Sequence, residues 1–448
     1  MNCEKCMAVI REDDMVMSPS SRMPYFPLVI KRAYGAAVED IDGNRFIDLL
    51  SSAGALNTGH CHPRVVKAVE EQLKSFIHYT PVYTYHEPLV KLAKMLTEII
   101  PGDFKKRVAF GLSGSDANDG MIKLARCYTG RSKIISFIQS YHGSTYGAIS
   151  LSALSLNMRK KIGPLLPGIH HIPYPDCYRC AFGQRKGSCR LECLKQFEIA
   201  LKYYMPAEEV AAVIMEPIAG DAGLVVPPQR YMKRLYEICK ANGILFVSEE
   251  VQQGFGRTGK WFGIEHFGIQ PDAVLLGKAI ASGMPLSAIV AREEIMQSWE
   301  APAHVFTTAG NPVSCAAAIA TIEIIRDENL AGHSGELGDY VRERFTRMME
   351  KYPLIGDVRG LGLSVGIDLV KDRDTKERDR VAAAKICYRC WEKGVILTFF
   401  ANNVLRVQPP LVITRDDMDR AIDIIDESIQ DYLSGDIPDE VLGIAKGW

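Results

Sequence analysis

The sequence has almost no net charge, no long hydrophobic run and no low-complexity segment, and each absence removes a class of protein. Lys and Arg number 53 against 54 Asp and Glu, a formal net charge of −1, so nothing draws the chain to nucleic acid or to an anionic membrane surface. No stretch approaches the roughly 20 apolar residues that a membrane-spanning helix needs. The opening Met1-Asn2-Cys3-Glu4-Lys5-Cys6 lacks the apolar core of a signal peptide, which makes a cytoplasmic location the expectation. What remains is an ordinary globular composition, 47% hydrophobic and 24% charged. Its 448 residues suffice for two lobes or one large α/β unit. Twelve cysteines without an export signal point to reduced thiols, metal ligands or small buried side chains rather than a disulfide framework.

The middle of the chain alternates short apolar runs with longer amphipathic stretches. Ile134–Ile138, Ala212–Met215, Ile244–Val247 and Ala273–Leu276 are unbroken runs dominated by Val, Ile, Leu and Ala, the pattern of parallel strands covered on both faces. Helical segments lie between them, such as Tyr231–Ala241, closed by Asn242-Gly243. The ends differ. Gly35–Asp48 reads as a hairpin around Asp42-Gly43-Asn44, and the last third mixes helices with short strands at Gly362–Leu369, Gly394–Thr398 and Val404–Val407. The expected fold is α/β. A large domain over 63–327 carries a mostly parallel central sheet flanked by helices, and a smaller α+β domain is assembled from 1–62 and 328–448.

Ligands of parallel sheets bind outside the carboxyl ends of the strands, so the residues just past each strand matter most. After Val108-Ala109-Phe110 comes Gly111-Leu112-Ser113-Gly114-Ser115 and a helix, a turn able to offer backbone N–H groups to a phosphate. A plain helix-capping turn is the alternative. Ser140-Tyr141-His142-Gly143 places an aromatic ring beside a tight turn, either to cover a planar ligand or to pack. Glu249 and Glu250 end an apolar strand and point opposite ways, so at least one lies inside, where it needs a cationic partner: a protonated ring nitrogen or an arginine. Lys278 comes after the Ala273–Leu276 run. A desolvated strand-end lysine suits Schiff-base chemistry, though a surface lysine is the simpler reading of that residue alone. Together, a phosphate turn, a ring-covering aromatic, a buried carboxylate and a strand-end lysine describe a pyridoxal phosphate site.

On these residues, and on Glu249-Glu250-Val251-Gln252-Gln253-Gly254-Phe255-Gly256-Arg257-Thr258-Gly259, Phe306–Pro312 and Leu405–Leu411, the chain resembles the class III aminotransferases, pyridoxal phosphate enzymes of fold type I. The resemblance implies that Lys278 carries the cofactor and that Gly114 and Ser115 hold its phosphate. It further implies that Tyr141 stacks on the ring and Gln252 bonds the ring hydroxyl. Glu249 would face the pyridine nitrogen, where the family normally has Asp; the charge is retained and the extra methylene alters the geometry. Thr307 matches the threonine that reaches the phosphate of the neighbouring subunit, implying a homodimer or a dimer of dimers. Arg406 matches the arginine that grips the substrate carboxylate.

Two outcomes are open to such a site. Reprotonation at the cofactor gives transamination, for instance of a 4-aminobutyrate-like or other ω-amino substrate. Reprotonation at Cα from the opposite face gives racemisation, which needs a second acid/base besides Lys278. Asp221, in Glu216-Pro217-Ile218-Ala219-Gly220-Asp221, is the candidate; neutralising Arg406 is its alternative role. Ile77–Pro81, Ser155–Met158, Ala301–His304 and Gly447-Trp448 make the chain similar to the isoleucine 2-epimerase and broad amino-acid racemase branch. Epimerisation or racemisation of a hydrophobic amino acid is therefore the expectation. A non-catalytic cofactor carrier would keep Lys278 and the phosphate turn, but intact Arg406 and Gln252 speak against it. Cys177, Cys180, Cys189 and Cys193, spaced C-x2-C-x8-C-x3-C, suit a structural zinc ion or an iron–sulfur cluster, with unligated thiols as the alternative.

Overall fold

A computed structural model describes residues 1–447; Trp448, part of the resemblance above, lies outside the described residues. The chain forms two compact units, one of residues 1–62 and 332–448, the other of 63–331.

The unit of residues 63–331 is built on a seven-stranded sheet. Its strands run in the order Lys106–Gly111, Ser287–Arg292, Ala273–Leu276, Leu245–Glu249, Val210–Met215, Lys133–Ile138, Ile169–Pro173. Ser287–Arg292 alone runs antiparallel to its neighbours. The three strands Val210–Met215, Leu245–Glu249 and Ala273–Leu276 are buried at every position, which explains their lack of polar alternation. Helix Gly114–Thr129 lays Ala117, Met121, Ile122, Leu124 and Ala125 on the sheet over Ile214, Val247, Leu275 and Ile289. Helix Gln229–Ala241 buries Tyr231, Met232, Leu235, Ile238 and Cys239 and ends at Gly243, whose φ of +63° suits a residue without Cβ. The strand Ser287–Arg292 was not legible as such: it comes after Gly283-Met284-Pro285 and supplies an antiparallel link that crossover logic does not call for.

The other unit holds two smaller sheets. The hairpin Ala37–Asp40 and Arg45–Asp48 pairs with Ile30–Tyr34 on one side and, in parallel, with Val395–Ile396 on the other, so the two ends of the chain share one sheet. Trp391, on helix Arg380–Glu392, stacks on Phe26 and Phe46 with ring centroids 6.0 and 6.4 Å away. The second sheet joins Ile355–Leu361, Ser364–Asp372, Val404–Val407 and Thr398–Phe400, with Glu377–Arg378 beside it. Among the described residues no helix is long and apolar enough to cross a membrane.

Candidate active site

A cavity of about 160 Å³ opens at the carboxyl ends of the parallel strands, lined among others by Gly114, Ser115, Tyr141, Asp221, Glu249, Gln252 and Lys278. Seven residues singled out in the sequence thus meet in one place. Every one of them ends a strand or lies in the turn or first helical residues beyond one, as the position of ligands in open α/β sheets requires.

The turn after Lys106–Gly111 is fixed by its own side chains. Ser113 caps helix Gly114–Thr129, its Oγ accepting from the Asp116 N–H at 3.4 Å. Asp116 Oδ2 in return accepts from the N–H groups of Leu112 and Ser113 at 2.7 and 3.0 Å. The other oxygen, Oδ1, takes the Ser287 hydroxyl at 2.6 Å and ties the turn to the antiparallel strand. Gly114 and Gly277 both close on Val251: a Cβ at Gly114 would lie 2.8 Å from Val251 Cγ1, and one at Gly277 3.1 Å from it. The helix N-terminus is therefore left as bare backbone facing the cavity, the arrangement that holds phosphate.

Tyr141 stands on the neighbouring turn. Its N–H donates to Glu216 Oε1 at 3.0 Å and its hydroxyl meets Ser144 Oγ at 3.2 Å. The two turns interlock, because the Ser144 N–H donates to Ser115 Oγ at 3.1 Å and Gly143, at φ +130°, leaves room for that hydroxyl. A Cβ on Gly143 would fall 2.1 Å from Ser115 Oγ.

The two glutamates divide their work by face, as the two-residue period of a strand demands. Glu250 turns away from the cavity and accepts from the N–H groups of Gly263 and Ile264 at 2.9 and 2.8 Å and from the Ser248 hydroxyl at 3.0 Å. Burial pushes its carboxyl up to about 7 despite those donors. Glu249 faces the cavity. Burial lifts it well above the ordinary carboxylate range and Glu216 adds to this, while Lys278 and the Val251 N–H, 3.2 Å from Oε1, pull it down. A negative charge on Glu249 is therefore costly unless a cation lies beside it. Lys278 starts a short 3₁₀ turn at φ +42°, half-buried, and its ammonium is one of the groups that lower both Glu216 and Glu249.

Sequence reasoning passed over Glu216 and His142. Glu216 comes directly after Val210–Met215, so the strand-end rule reaches it; its oxygens bind the N–H groups of Tyr141 and Gly220 at 3.0 and 2.8 Å. His142 is fully buried, held neutral by burial that lowers it to about 3, and its Nδ1 lies 3.9 Å from Glu249 Oε2. Neither ring nitrogen has a hydrogen-bond partner. Nothing in sequence announces such a histidine.

A backbone cradle, a covering tyrosine, a lysine and a carboxylate raised by burial are the parts expected of a pyridoxal phosphate enzyme. The aminotransferase class-III family matches the chain over residues 17–429. The chain belongs to the class III aminotransferases. Isoleucine 2-epimerase of Lentilactobacillus buchneri is 48% identical over 435 residues, 97% of each chain. Leucine/methionine racemase of Thermococcus litoralis is 46% identical over 441 residues, 98% of this chain and 99% of that one. The crystal structure of a Bacillus anthracis aminotransferase superposes with a TM-score of 0.87 at 33% identity, covering 96% of this chain and 99% of the other. The cofactor of this class III enzyme is pyridoxal phosphate, and the residues present fit it. The glycine cradle suits the phosphate, and the raised Glu249 carboxyl beside the unpartnered His142 ring suits a ring nitrogen able to take a proton.

The remaining predicted residues are not among those lining this cavity. Thr307 is exposed and does not line the cavity. Arg406 belongs to the other unit, on strand Val404–Val407, buried with its guanidinium 3.5 Å over the Phe400 ring. Cys177, Cys180, Cys189 and Cys193 are half-buried free thiols on the loop between Ile169–Pro173 and helix Glu192–Tyr203 and in that helix's first turn. Cys387 and Cys390, by contrast, are buried on helix Arg380–Glu392 as core residues.

Proposed function

We propose that this class III enzyme racemises or 2-epimerises a free hydrophobic amino acid, isoleucine-like, by moving a proton at Cα between two protein groups. The observation that carries this reading is that Asp221 and Lys278 line the same cavity, with Gln252 donating to Asp221 Oδ1 at 3.2 Å. Bound pyridoxal phosphate supplies the electron sink that acidifies the Cα–H of an attached amino acid. Lys278 removes that proton, and Asp221 returns one to the same carbon from the other face; the reverse reaction exchanges the roles. Glu249 holds the pyridine nitrogen protonated, because its charge is costly in this buried site without a cation. Gly114 and Ser115 hold the phosphate, Tyr141 covers the ring and Gln252 serves both the ring hydroxyl and Asp221. Arg406 is assigned the substrate carboxylate by resemblance alone.

The working form we propose is a homodimer in the cytoplasm, with the option of pairing further into a tetramer. Exposed Ile77, Tyr79, Tyr83 and Tyr85, the last at 97% exposure, support a face covered by a second copy, and exposed Thr307 supports a reach into the partner's phosphate site. Twelve unpaired thiols fit a reducing compartment.

The test is incubation of the cofactor-loaded protein with single L-amino acids in D2O without any oxoacid, isoleucine and valine first. Sustained formation of Cα-deuterated D or D-allo product, tracked by chiral chromatography with mass detection, is the expected result. A single turnover that stalls until an oxoacid is added would overturn the reading in favour of transamination.

A further inference from the structure

Between strand Ile169–Pro173 and helix Glu192–Tyr203 the chain runs from Tyr174 to Leu191 without a helix or strand. Structureless stretches beyond about 12–15 residues are uncommon inside a compact domain and need a reason. This one has little apolar anchorage, for no residue from 176 to 191 is buried. Its order comes from small local devices. Asp176 Oδ1 accepts from the N–H groups of Tyr178 and Arg179 at 2.9 and 3.0 Å, and two turns close at Gly183 to Cys180 and at Ser188 to Arg185.

The residues turned inward include the thiols. Cys177, Cys180, Cys189 and Cys193 are half-buried, whereas Arg185–Ser188 between them are exposed. Three of the four lie on this loop and the fourth in the first turn of the helix that follows it. Two of the sulfurs stand in settings that suit a thiolate. The Leu191 N–H donates to Cys189 Sγ at 3.2 Å, and Cys193 stands in the first turn of helix Glu192–Tyr203, where the positive end of the helix favours negative charge.

We propose that Cys177, Cys180, Cys189 and Cys193 bind one zinc ion that clasps the two ends of this loop. The pairs Cys177-x2-Cys180 and Cys189-x3-Cys193 each have the spacing of a structural zinc half-site, and four thiolates complete its closed tetrahedral shell at about 2.3 Å. Binding releases four thiol protons to solvent and leaves a complex of net charge −2, offset by Arg179, Arg185, Lys186 and Arg190 on the same loop. The two pairs must close on the ion, for among the described residues the only group of three or more His, Cys, Asp and Glu ligand atoms within 4.8 Å of one another is His142, Glu216 and Glu249. The clasp also bears on the active site. Tyr174, at the start of the loop, donates its hydroxyl to the Glu216 carbonyl at 2.9 Å.

The holoenzyme, purified without chelators, tests this by elemental mass spectrometry. One zinc per chain is expected, released when a mercurial reagent blocks the thiols. Cobalt in its place should show thiolate-to-metal charge-transfer bands and tetrahedral d–d bands. Cys177→Ser with Cys193→Ser should abolish both, while Cys61→Ser, an exposed thiol outside the loop, retains them. Trypsin, cutting after the four loop cations, should nick the stripped protein at least about 10-fold faster. Should the double variant fail to fold, stripping and reloading the native chain carries the test. The proposal is overturned if the protein keeps no zinc after loading and dialysis, if cobalt gives no charge-transfer bands, if iron with acid-labile sulfide is found, or if thiol counting shows these cysteines paired as disulfides.

Discussion

Gln252 donates from Nε2 to Asp221 Oδ1 over 3.2 Å, and both side chains line the cavity that Lys278 shares. The approach depends on Gly220, where a Cβ would sit 2.0 Å from Gln252 Oε1. Gln252 is itself placed by Gln253, whose Nε2 donates to Gln252 Oε1 at 3.2 Å. One oxygen of the proposed acid/base is thus oriented by a neutral donor.

Asp221→Asn removes the proton donor while keeping the Gln252 contact feasible. Inversion at Cα should fall by about 10²–10⁴-fold. Deuterium exchange into the unchanged enantiomer, which Lys278 alone supports, should fall much less. Comparing exchange with inversion in D2O distinguishes the two; equal losses would remove Asp221 from its assigned role.

Glu249→Gln takes away the charge that a protonated ring nitrogen needs. Turnover should drop by about 10²–10³-fold with the cofactor still bound, and Glu249→Asp should recover most of it. Absorbance titration of cofactor binding alongside turnover reads the split. Equal activity of Glu249→Gln and the native enzyme would contradict the pairing.

Gly143→Ala forces a side chain into φ +130° and a Cβ to 2.1 Å from Ser115 Oγ. A strained residue of this kind costs about 1–3 kcal/mol, and the hydroxyl must also move. Both the unfolding free energy and the cofactor affinity should fall, as measured by denaturant titration and by cofactor release on dialysis.

Glu250 supplies a pH signature. Its carboxyl is raised by burial to about 7 in the folded chain, above the roughly 4.3 of an exposed glutamate. The stability it contributes is complete below that exposed value and is lost as the pH rises through about 7. Glu250→Gln cannot titrate and loses one acceptor for the N–H groups of Gly263 and Ile264, a cost of about 1–3 kcal/mol. The deficit in Tm of the variant relative to the native protein should be greatest at acidic pH and shrink through neutrality. A deficit independent of pH would contradict the raised carboxyl.

The lysine, the glutamate pair and the glycine turn were legible because each stands just past an unbroken apolar run or at its end, and chemistry in parallel sheets collects there. Asp221 was named by a different route, the need of racemisation for a second acid/base, while the strand-end rule passed over Glu216, which stands immediately after Met215. Glu250 and Glu249 are adjacent letters with the same chemistry, and strand alternation predicts only that they part. It does not say which one meets the cavity. His142 was invisible for a related reason: its significance lies in full burial beside Glu249, not in its neighbours along the chain.

Local pattern therefore determined the α/β class, the parallel strands, the cofactor and several residues that line the cavity, since hydrophobic period and strand-end position are properties of short segments. Tertiary structure decided what depends on distant segments meeting. It placed the antiparallel strand Ser287–Arg292 beside Gly111, joined Val395–Ile396 to the hairpin of residues 37–48, and brought Gln252 onto Asp221. Burial worked the same way: it raised Glu249 and silenced His142 through the combined packing of several strands and turns, a quantity that no single stretch of sequence carries.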